Sequence, residues 1–196
     1  MLGFPTAPKY LIAPLLLTLI IILLHLGEPR TVEWFGFFPK LVLDGQWWRI
    51  VTGQLLHTNG NHMWLNLAGL LLVWALHGEH YSPKHFFLVS MASLLFIGVC
   101  LLLFVDYGHY AGLSGVLHSL LIYGALIDIK KGDRTGWLLL AGVLIKVIYE
   151  VLVGPSSSTE QLIGAYVAFE AHVLGVISGA LFGLLNLYFT LKAPKK

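Results

Sequence analysis

Charged residues are scarce in this chain of 196 residues, since Asp, Glu, Lys and Arg together make up 11% of it while hydrophobic residues make up 57%. A soluble globular domain carries about 25% charged residues. The chain therefore has too few charged groups to cover a globule in water, and its composition predicts an integral membrane protein surrounded by the lipid bilayer. The net charge is only +2 and the cations are scattered, so no basic patch supports binding to nucleic acid.

Cysteine is almost absent, because Cys100 is the only one in the chain. A single cysteine excludes a disulfide within the chain and a metal site built from cysteines. Cys100 lies in an apolar run, where we expect it to serve as a small buried hydrophobic residue. We expect no metal ion and no other cofactor.

Long apolar runs, by contrast, are abundant, and a membrane-spanning helix needs about 20 predominantly apolar residues. Six runs meet this requirement, at roughly residues 9–26, 50–78, 85–105, 113–128, 137–153 and 169–191. The joints between them are short, so they leave no room for a second domain. We therefore expect an all-α integral membrane protein, a compact bundle of six transmembrane helices that forms one domain over residues 1–196. The first run is too long for a secretory signal, and we expect it to be retained.

Lysine and arginine collect on one side of such a bundle. Eight of the twelve cations would lie on the side of the N-terminus: Lys9, Lys84, Lys130, Lys131, Arg134, Lys192, Lys195 and Lys196. Because cytoplasmic loops carry the excess of positive charge, we expect both termini to be cytoplasmic. Lys146 falls within the fifth run.

The first loop on the opposite side, residues 27–49, is rich in aromatic residues. It contains Trp34, Phe35, Phe37, Phe38, Trp47 and Trp48. Tryptophan and other aromatic side chains are enriched at the membrane interface. We expect this loop to lie in the headgroup region as an interfacial anchor.

Several strongly polar residues fall inside the predicted helices. The second helix has His57, His62 and Asn66, the fourth has Ser114 and His118, and the sixth has His172. Such residues are costly in lipid and indicate a functional site when several converge. At a helix rise of about 1.5 Å per residue, Ser114 lies roughly 21 Å above Asp128, and the others reach a comparable depth in the outer half of the membrane.

Ser114 lies in the run Gly112-Leu113-Ser114-Gly115 at the start of the fourth helix. His62 and Asn66 are four residues apart and so share one helix face, where they could donate two hydrogen bonds to one oxygen. A nucleophile, a histidine on another helix and a pair of donors on a third are the groups that acyl transfer requires. Gly175, Gly179 and Gly183 predict close helix packing, which would bring His172 towards Ser114.

From about Trp48 to the end of the sixth helix the chain resembles the rhomboid intramembrane proteases. The resemblance rests on the order and spacing of Trp48-Arg49, His57-x4-His62-x3-Asn66, Glu79, Gly112-Leu113-Ser114-Gly115 and Ala171-His172-x2-Gly175-x3-Gly179. The six-helix form, the aromatic loop and the run from Gly112 to His118 most resemble the rhombosortase branch.

The family resemblance implies a Ser–His dyad with no acidic third member. Ser114 would be the nucleophile and His172 the base, while His62, Asn66 and the backbone N–H of Ser114 would stabilise the oxyanion. Gly112, Gly115 and Gly175 would support this site. Many rhomboids carry a tyrosine one turn after the serine, whereas this chain has His118 there. We expect His118 to orient His172.

The branch resemblance implies a narrow substrate class and a location. Its substrates would be single-pass bacterial surface or secreted proteins whose C-terminal anchor combines a Gly-Gly motif, an apolar helix and a basic tail. The enzyme would lie in the bacterial inner membrane with its active site open to the periplasmic side. Oligomeric state and any helper protein stay open.

Three other interpretations remain at this point. One is a general rhomboid protease with broader substrates, and another is a non-catalytic rhomboid-like protein that binds membrane clients. The third is a metal or proton transporter lined by His57, His62, His118 and His172. The repeated halves and broken helices that are common in transporters are not evident in the sequence.

Overall fold

The computed structural model describes the backbone of residues 4–192 and the side chains of residues 4–189. The helices of this part of the chain are α1 (Pro8–Leu26), α2 (Arg30–Phe35), α3 (Pro39–Leu43), α4 (Arg49–Thr52), α5 (Gly60–His77), α6 (Pro83–Phe104), α7 (Ser114–Lys131), α8 (Thr135–Val153), α9 (Ser157–Ile163) and α10 (Phe169–Lys192). The predicted all-α fold is confirmed. Over the described residues, extended pairing is limited to an isolated antiparallel bridge between Phe37 and Tyr110.

Six of these helices have 18 or more residues, namely α1, α5, α6, α7, α8 and α10. Among the described residues, α1, α6, α8 and α10 are long and apolar enough to cross a membrane. Helices α5 and α7 have 18 residues each, and at the usual rise such a helix is about 27 Å long. They are less apolar because they carry most of the polar residues that the sequence singles out.

The second predicted segment, 50–78, is not one helix. The chain forms the short helix α4, a turn of 3₁₀-helix at Gly53–Leu55 and then an extended connection before α5 begins at Gly60. Asn59 has extended backbone angles, and its side chain accepts a hydrogen bond from the N–H of His62 at 2.8 Å. Such a cap starts a helix after the asparagine. His57 therefore lies in the connection before α5, and its placement on the second helix is wrong.

Helix α7 lies at the centre of the fold, and α10 packs along it. A Cβ atom at Gly175 would collide with the backbone oxygen of Gly115, and one at Gly179 would collide with the backbone oxygen of Ser119. Glycine at these positions lets the two helix backbones approach closely. The predicted close packing of the sixth long helix is confirmed, and it sets the separation between the start of α7 and the first turns of α10.

The loop before α4 is held by a buried arginine. Arg49 is 3% exposed, and it donates hydrogen bonds to the backbone oxygens of Gly36 and Glu33 and to the side chain of Gln46, each at 2.7 Å. Trp34 and Trp47 remain exposed. Exposed tryptophans on an ordered loop fit the predicted interfacial position.

Phe37 of the aromatic loop is fully buried, whereas Cys100, expected to be buried, is not. The backbone oxygen of Phe37 accepts a hydrogen bond from the N–H of Tyr110 at 3.1 Å, and the close approach of Gly53 covers Phe37 from the other side. Cys100 on α6 is only partly buried, because its side of the helix is not covered by a neighbouring element.

Candidate active site

Ser114 is the first residue of α7 and faces a cavity of about 550 Å³. Helices α5, α7, α8 and α9 and residues 165–168 contribute to the wall of this cavity. Gly112 precedes the serine with a φ of +122°, which favours glycine. A Cβ atom there would also lie 2.8 Å from the His62 ring. Gly112 thus allows the chain to turn into α7 beside His62.

His172, on the first turn of α10, lies next to Ser114. The Nε2 atom of His172 is 2.9 Å from the Oγ atom of Ser114, and His172 is buried. The contact follows from the close packing of the two helices, because a Cβ atom at Gly115 would lie 2.8 Å from the backbone oxygen of Ala171. A serine hydroxyl within hydrogen-bond distance of a histidine is the arrangement that activates a nucleophile.

His62 and Asn66 line the same cavity from α5. The Asn66 amide donates a hydrogen bond to the backbone oxygen of His62 at 3.0 Å. The N–H of Thr58 donates to Nδ1 of His62 at 3.4 Å, and the Thr58 hydroxyl lies 3.0 Å from the same atom. His57 packs edge-on against His62, with 5.0 Å between ring centroids, and it does not reach Ser114.

His118 lies one turn after Ser114 and stacks on His172. The two ring centroids are 4.3 Å apart with an angle of 19° between the planes. The Nδ1 atom of His118 is 2.7 Å from the backbone oxygen of Ser114. Because a carbonyl oxygen only accepts, Nδ1 is the donor, and Nε2 is left as an acceptor. His118 therefore has a defined tautomer in this site.

Two residues beside His172, Lys146 and Glu150 on α8, are not among the predicted site residues. The Oε2 atom of Glu150 is 2.8 Å from Nδ1 of His172 and 2.8 Å from Nζ of Lys146. Nζ also lies 3.1 Å from Nε2 of His118. The sequence predicts a Ser–His dyad with no acidic third member, and the structure places the carboxylate of Glu150 in direct contact with His172.

A signal for this pair was present in the sequence. Lys146 and Glu150 are four residues apart in an otherwise apolar run, so they share one face of the helix. Ionisable residues inside a spanning helix indicate a site, especially when two can pair. The predicted site takes its polar residues from only three helices and leaves out both members of this pair on α8.

Comparison with known proteins identifies the family. The family model described as Rhomboid domain matches residues 44–189. The chain belongs to the rhomboid family. It is 28% identical over 193 residues to the rhomboid protease GluP of Bacillus subtilis (strain 168), an alignment that covers 92% of this chain and 37% of that protein. It is 29% identical over 188 residues to the rhomboid protease GlpG of Photorhabdus laumondii subsp. laumondii, covering 90% of this chain and 63% of that protein.

This rhomboid chain therefore spans less than two thirds of the length of either relative. The match to the rhomboid family begins after α3 and runs through α10 as far as residue 189. It includes every residue of the cavity described above, whereas α1 lies outside it. The match is to the family as a whole and does not separate its branches.

Tyr107 also lines the cavity beside Ser114. Its hydroxyl donates a hydrogen bond to the carboxylate of Glu170, at the start of α10. Burial raises the pKa of Tyr107, and the adjoining Glu170 carboxylate raises it further. The phenol is thus protonated near neutral pH and joins the segment before Ser114 to the segment before His172.

Proposed function

We propose that this chain is an intramembrane serine endopeptidase in which Ser114 is the nucleophile and His172 is the general base. The distance of 2.9 Å between Ser114 Oγ and His172 Nε2 carries this proposal. The cavity beside these atoms has room for an extended segment of substrate. Membership of the rhomboid family and similarity to two rhomboid proteases support the same activity.

The first half of the reaction forms an acyl-enzyme. His172 takes the proton of Ser114 as the Oγ atom attacks the substrate carbonyl, and a tetrahedral intermediate forms. His172 then returns the proton to the leaving amine as the C–N bond breaks. In the second half, water attacks the ester carbonyl while His172 removes a proton from it, and release of the acid restores the Ser114 hydroxyl.

The oxyanion of each tetrahedral intermediate would be bound by three donors. These are the backbone N–H of Ser114, the second amide N–H of Asn66 and Nε2 of His62. Thr58 contacts Nδ1 of His62 through both its N–H and its hydroxyl, so Nε2 is the ring atom available to the oxyanion. Removing one such donor typically lowers the rate by about 10² to 10³.

We propose that α5 and α7 cross the bilayer with the four more apolar helices, which gives six spans. Both termini would then be cytoplasmic and the cavity would open towards the outer, periplasmic face of a bacterial inner membrane. The excess of lysine and arginine on the side of the termini supports this orientation. Ser114, at the N-terminal end of α7, would receive water from that face.

For the substrate, we propose single-pass proteins with a Gly-Gly-containing C-terminal anchor. The similarity of the run from Gly112 to His118 to the rhombosortase branch supports this class. Glycines near the end of the substrate helix would let it unwind and expose a carbonyl to Ser114. A general rhomboid protease would instead cleave membrane substrates that lack such a motif, and a non-catalytic rhomboid would only bind them.

Labelling with a fluorophosphonate probe tests the catalytic proposal. The purified chain in detergent is treated with the probe, and the modified residue is identified by peptide mapping. We expect the label on Ser114 and no label in Ser114→Ala, a change that removes one oxygen and little volume. A folded wild-type protein that takes no label would point to the non-catalytic client-binding protein.

A pair of substrates tests the proposed specificity. Both are single-pass proteins with the same apolar helix and basic tail, and one has Gly-Gly before the helix while the other has Ala-Ala. Faster cleavage of the Gly-Gly protein is the expected result. Equal cleavage of the two would favour a general rhomboid protease.

A further inference from the structure

The distal nitrogen of His172 contacts a carboxylate, and this contact adds a residue of α8 to the Ser114–His172 pair. Glu150 comes from α8, whereas Ser114 comes from α7 and His172 from α10. Glu150 is 8% exposed and His172 is 6% exposed. Both groups are therefore largely shielded, and a hydrogen bond between them is worth more than it would be in water.

The protonation state of His172 follows from its two partners. In the attacking arrangement the Ser114 hydroxyl donates to Nε2, so Nε2 carries no hydrogen and Nδ1 carries the ring proton. That N–H needs an acceptor in a buried site. Oε2 of Glu150, at 2.8 Å, is an acceptor and has no proton of its own when ionised.

Lys146 stabilises this carboxylate. Its ammonium group donates to Oε2 of Glu150 at 2.8 Å and to Nε2 of His118 at 3.1 Å. Nζ of Lys146 also lies 2.9 Å from Nδ1 of His172. With the ring proton on Nδ1 both nitrogens are donors, and each donates to Oε2 of Glu150. A buried carboxylate without a cation would be costly, and Lys146 offsets that cost.

We propose that Glu150 is a positioning residue that turns the Ser–His pair into a Ser114–His172–Glu150 triad, with Lys146 holding Glu150 in place. This inference rests on the proposed function. When Ser114 attacks, its proton moves to Nε2 and His172 becomes a cation. The proton on Nδ1 stays there, and the carboxylate of Glu150 stabilises the positive ring. No further reactant is needed, because the negative charge formed on the oxyanion is balanced by the positive charge formed on the His172 ring.

A purely structural role is the competing explanation. In that case Glu150 and Lys146 would only join α8 to α7 and α10, and their loss would lower stability without a specific effect on chemistry. The two roles differ in what they change. A positioning residue acts on the rate of the covalent step, whereas a structural tie acts on the unfolding temperature and on access to the cavity.

The test uses the full chain in detergent and the saturation kinetics of fluorophosphonate labelling. The limiting rate of Ser114 modification, kinact, reports activation of the serine, and the half-saturation concentration, KI, reports access and binding. We expect Glu150→Leu to lower kinact by up to about 10⁴, the loss seen when the acidic member is removed from other serine-protease triads. We expect KI to stay unchanged.

Two variants of the same residue separate charge from geometry. Lys146 and His172 donate to the same oxygen of Glu150, so the amide oxygen of Glu150→Gln can keep both contacts while the charge is lost. We expect its kinact to lie between those of wild type and Glu150→Leu. Glu150→Asp keeps the charge on a shorter side chain and should recover part of the rate. Glu79→Gln, the same change at an exposed position, is the control and should match wild type.

Proton NMR of protein with ¹⁵N-labelled histidine supplies a second readout. The Nδ1 proton of His172 should be strongly deshielded in wild type, and this signal should disappear in Glu150→Leu. If Glu150→Leu does not fold, Glu150→Gln carries the kinetic test, with an expected loss in kinact of about tenfold or more, the effect of about 1.4 kcal/mol on the barrier.

The outcomes distinguish this inference from the proposed function. Absence of label on wild-type Ser114 would overturn both. Normal labelling of wild type together with an unchanged kinact in folded Glu150→Leu and Glu150→Gln would overturn the triad alone. A lower unfolding temperature or a higher KI at normal kinact would do the same, because it would assign the pair a structural role.

Discussion

The two ends of α7 carry similar sets of residues with different surroundings. At the C-terminal end, Asp128 contacts Nε2 of His77 at 3.1 Å and Nε2 of His80 at 2.5 Å, and Lys131 lies 3.0 Å from Nδ1 of His80. At the N-terminal end, a carboxylate, a lysine and two histidines also meet. Each set contains a pair of stacked imidazoles.

The two clusters differ in their access to the cavity and in whether a serine hydroxyl lies beside them. The cluster around Asp128 does not line the large cavity, and both of its carboxylate oxygens are used by histidines. The cluster around Glu150 adjoins the Ser114 hydroxyl and the cavity, and one oxygen of Glu150 serves both neighbours. Similar residues thus suit a structural tie at one end of the helix and chemistry at the other.

The largest expected difference between the clusters lies in their histidines. We expect His172→Ala to abolish labelling of Ser114, because it removes the base. In the His77→Ala variant we expect Ser114 to be labelled at the wild-type rate. The variant should unfold at a lower temperature, because the substitution removes a buried contact to Asp128. Labelling kinetics and thermal unfolding of both variants provide the measurement. Loss of labelling in both the His172→Ala and the His77→Ala variant would show that the two clusters do not differ in their effect on Ser114.

Asn66 should come next in size. We expect Asn66→Ala to lower kinact by about 10² to 10³ and to leave measurable activity, because the oxyanion retains other donors. Asn66→Asp has the same shape but places an oxygen where the donor was, so it should be slower still. An alanine variant as fast as wild type would remove Asn66 from the oxyanion site.

His118 should have a smaller effect that depends on the replacement. If it orients His172 by stacking, His118→Phe keeps the packing and should retain activity near the wild-type level, while His118→Ala should lose about 10-fold, an intermediate effect for a positioning group. The measurement is kinact for both variants. Equal losses would instead assign the role to the hydrogen bonds that His118 makes with Ser114 and Lys146.

The smallest effect on activity is expected at Asp128. Asp128→Asn should leave kinact unchanged and lower the free energy of unfolding by about 1 to 3 kcal/mol, the usual cost of leaving a buried polar partner unpaired. Thermal unfolding in detergent and labelling kinetics measure the two quantities. A large fall in kinact would mean that this cluster influences the outer site.

Much of the helical architecture could be predicted from hydrophobic runs. The segments starting at residues 9, 85, 113, 137 and 169 each begin within two residues of a helix in the structure. The segment starting at 50 failed because it was continued across the polar stretch from His57 to His62, where the chain leaves one helix and begins the next. There Asn59 caps α5, a local signal for a new helix start.

The site could be predicted in part. Ser114, His62, Asn66 and His172 line one cavity, as their depths suggest, and their catalytic roles stay predictions. The pairing of Glu150 with Lys146 on α8 could be recognised from their spacing, whereas the contact of Glu150 with His172 depends on which face of α8 meets α10, and only packing decides that. The burial of Phe37 also depends on packing, because it follows from the pairing with Tyr110.

The packing of α7 against α10 also bears on how the bilayer could influence this protein. Ser114 and His172 are spaced by a contact between two main chains at Gly115 and Gly175, which lipid does not reach. Helix α8 buries few residues, and most of its side chains are exposed on the outside of the bundle. Bilayer thickness would therefore act on the tilt of α8, and through Glu150 on the strength of the base, while the spacing of serine and histidine stayed constant.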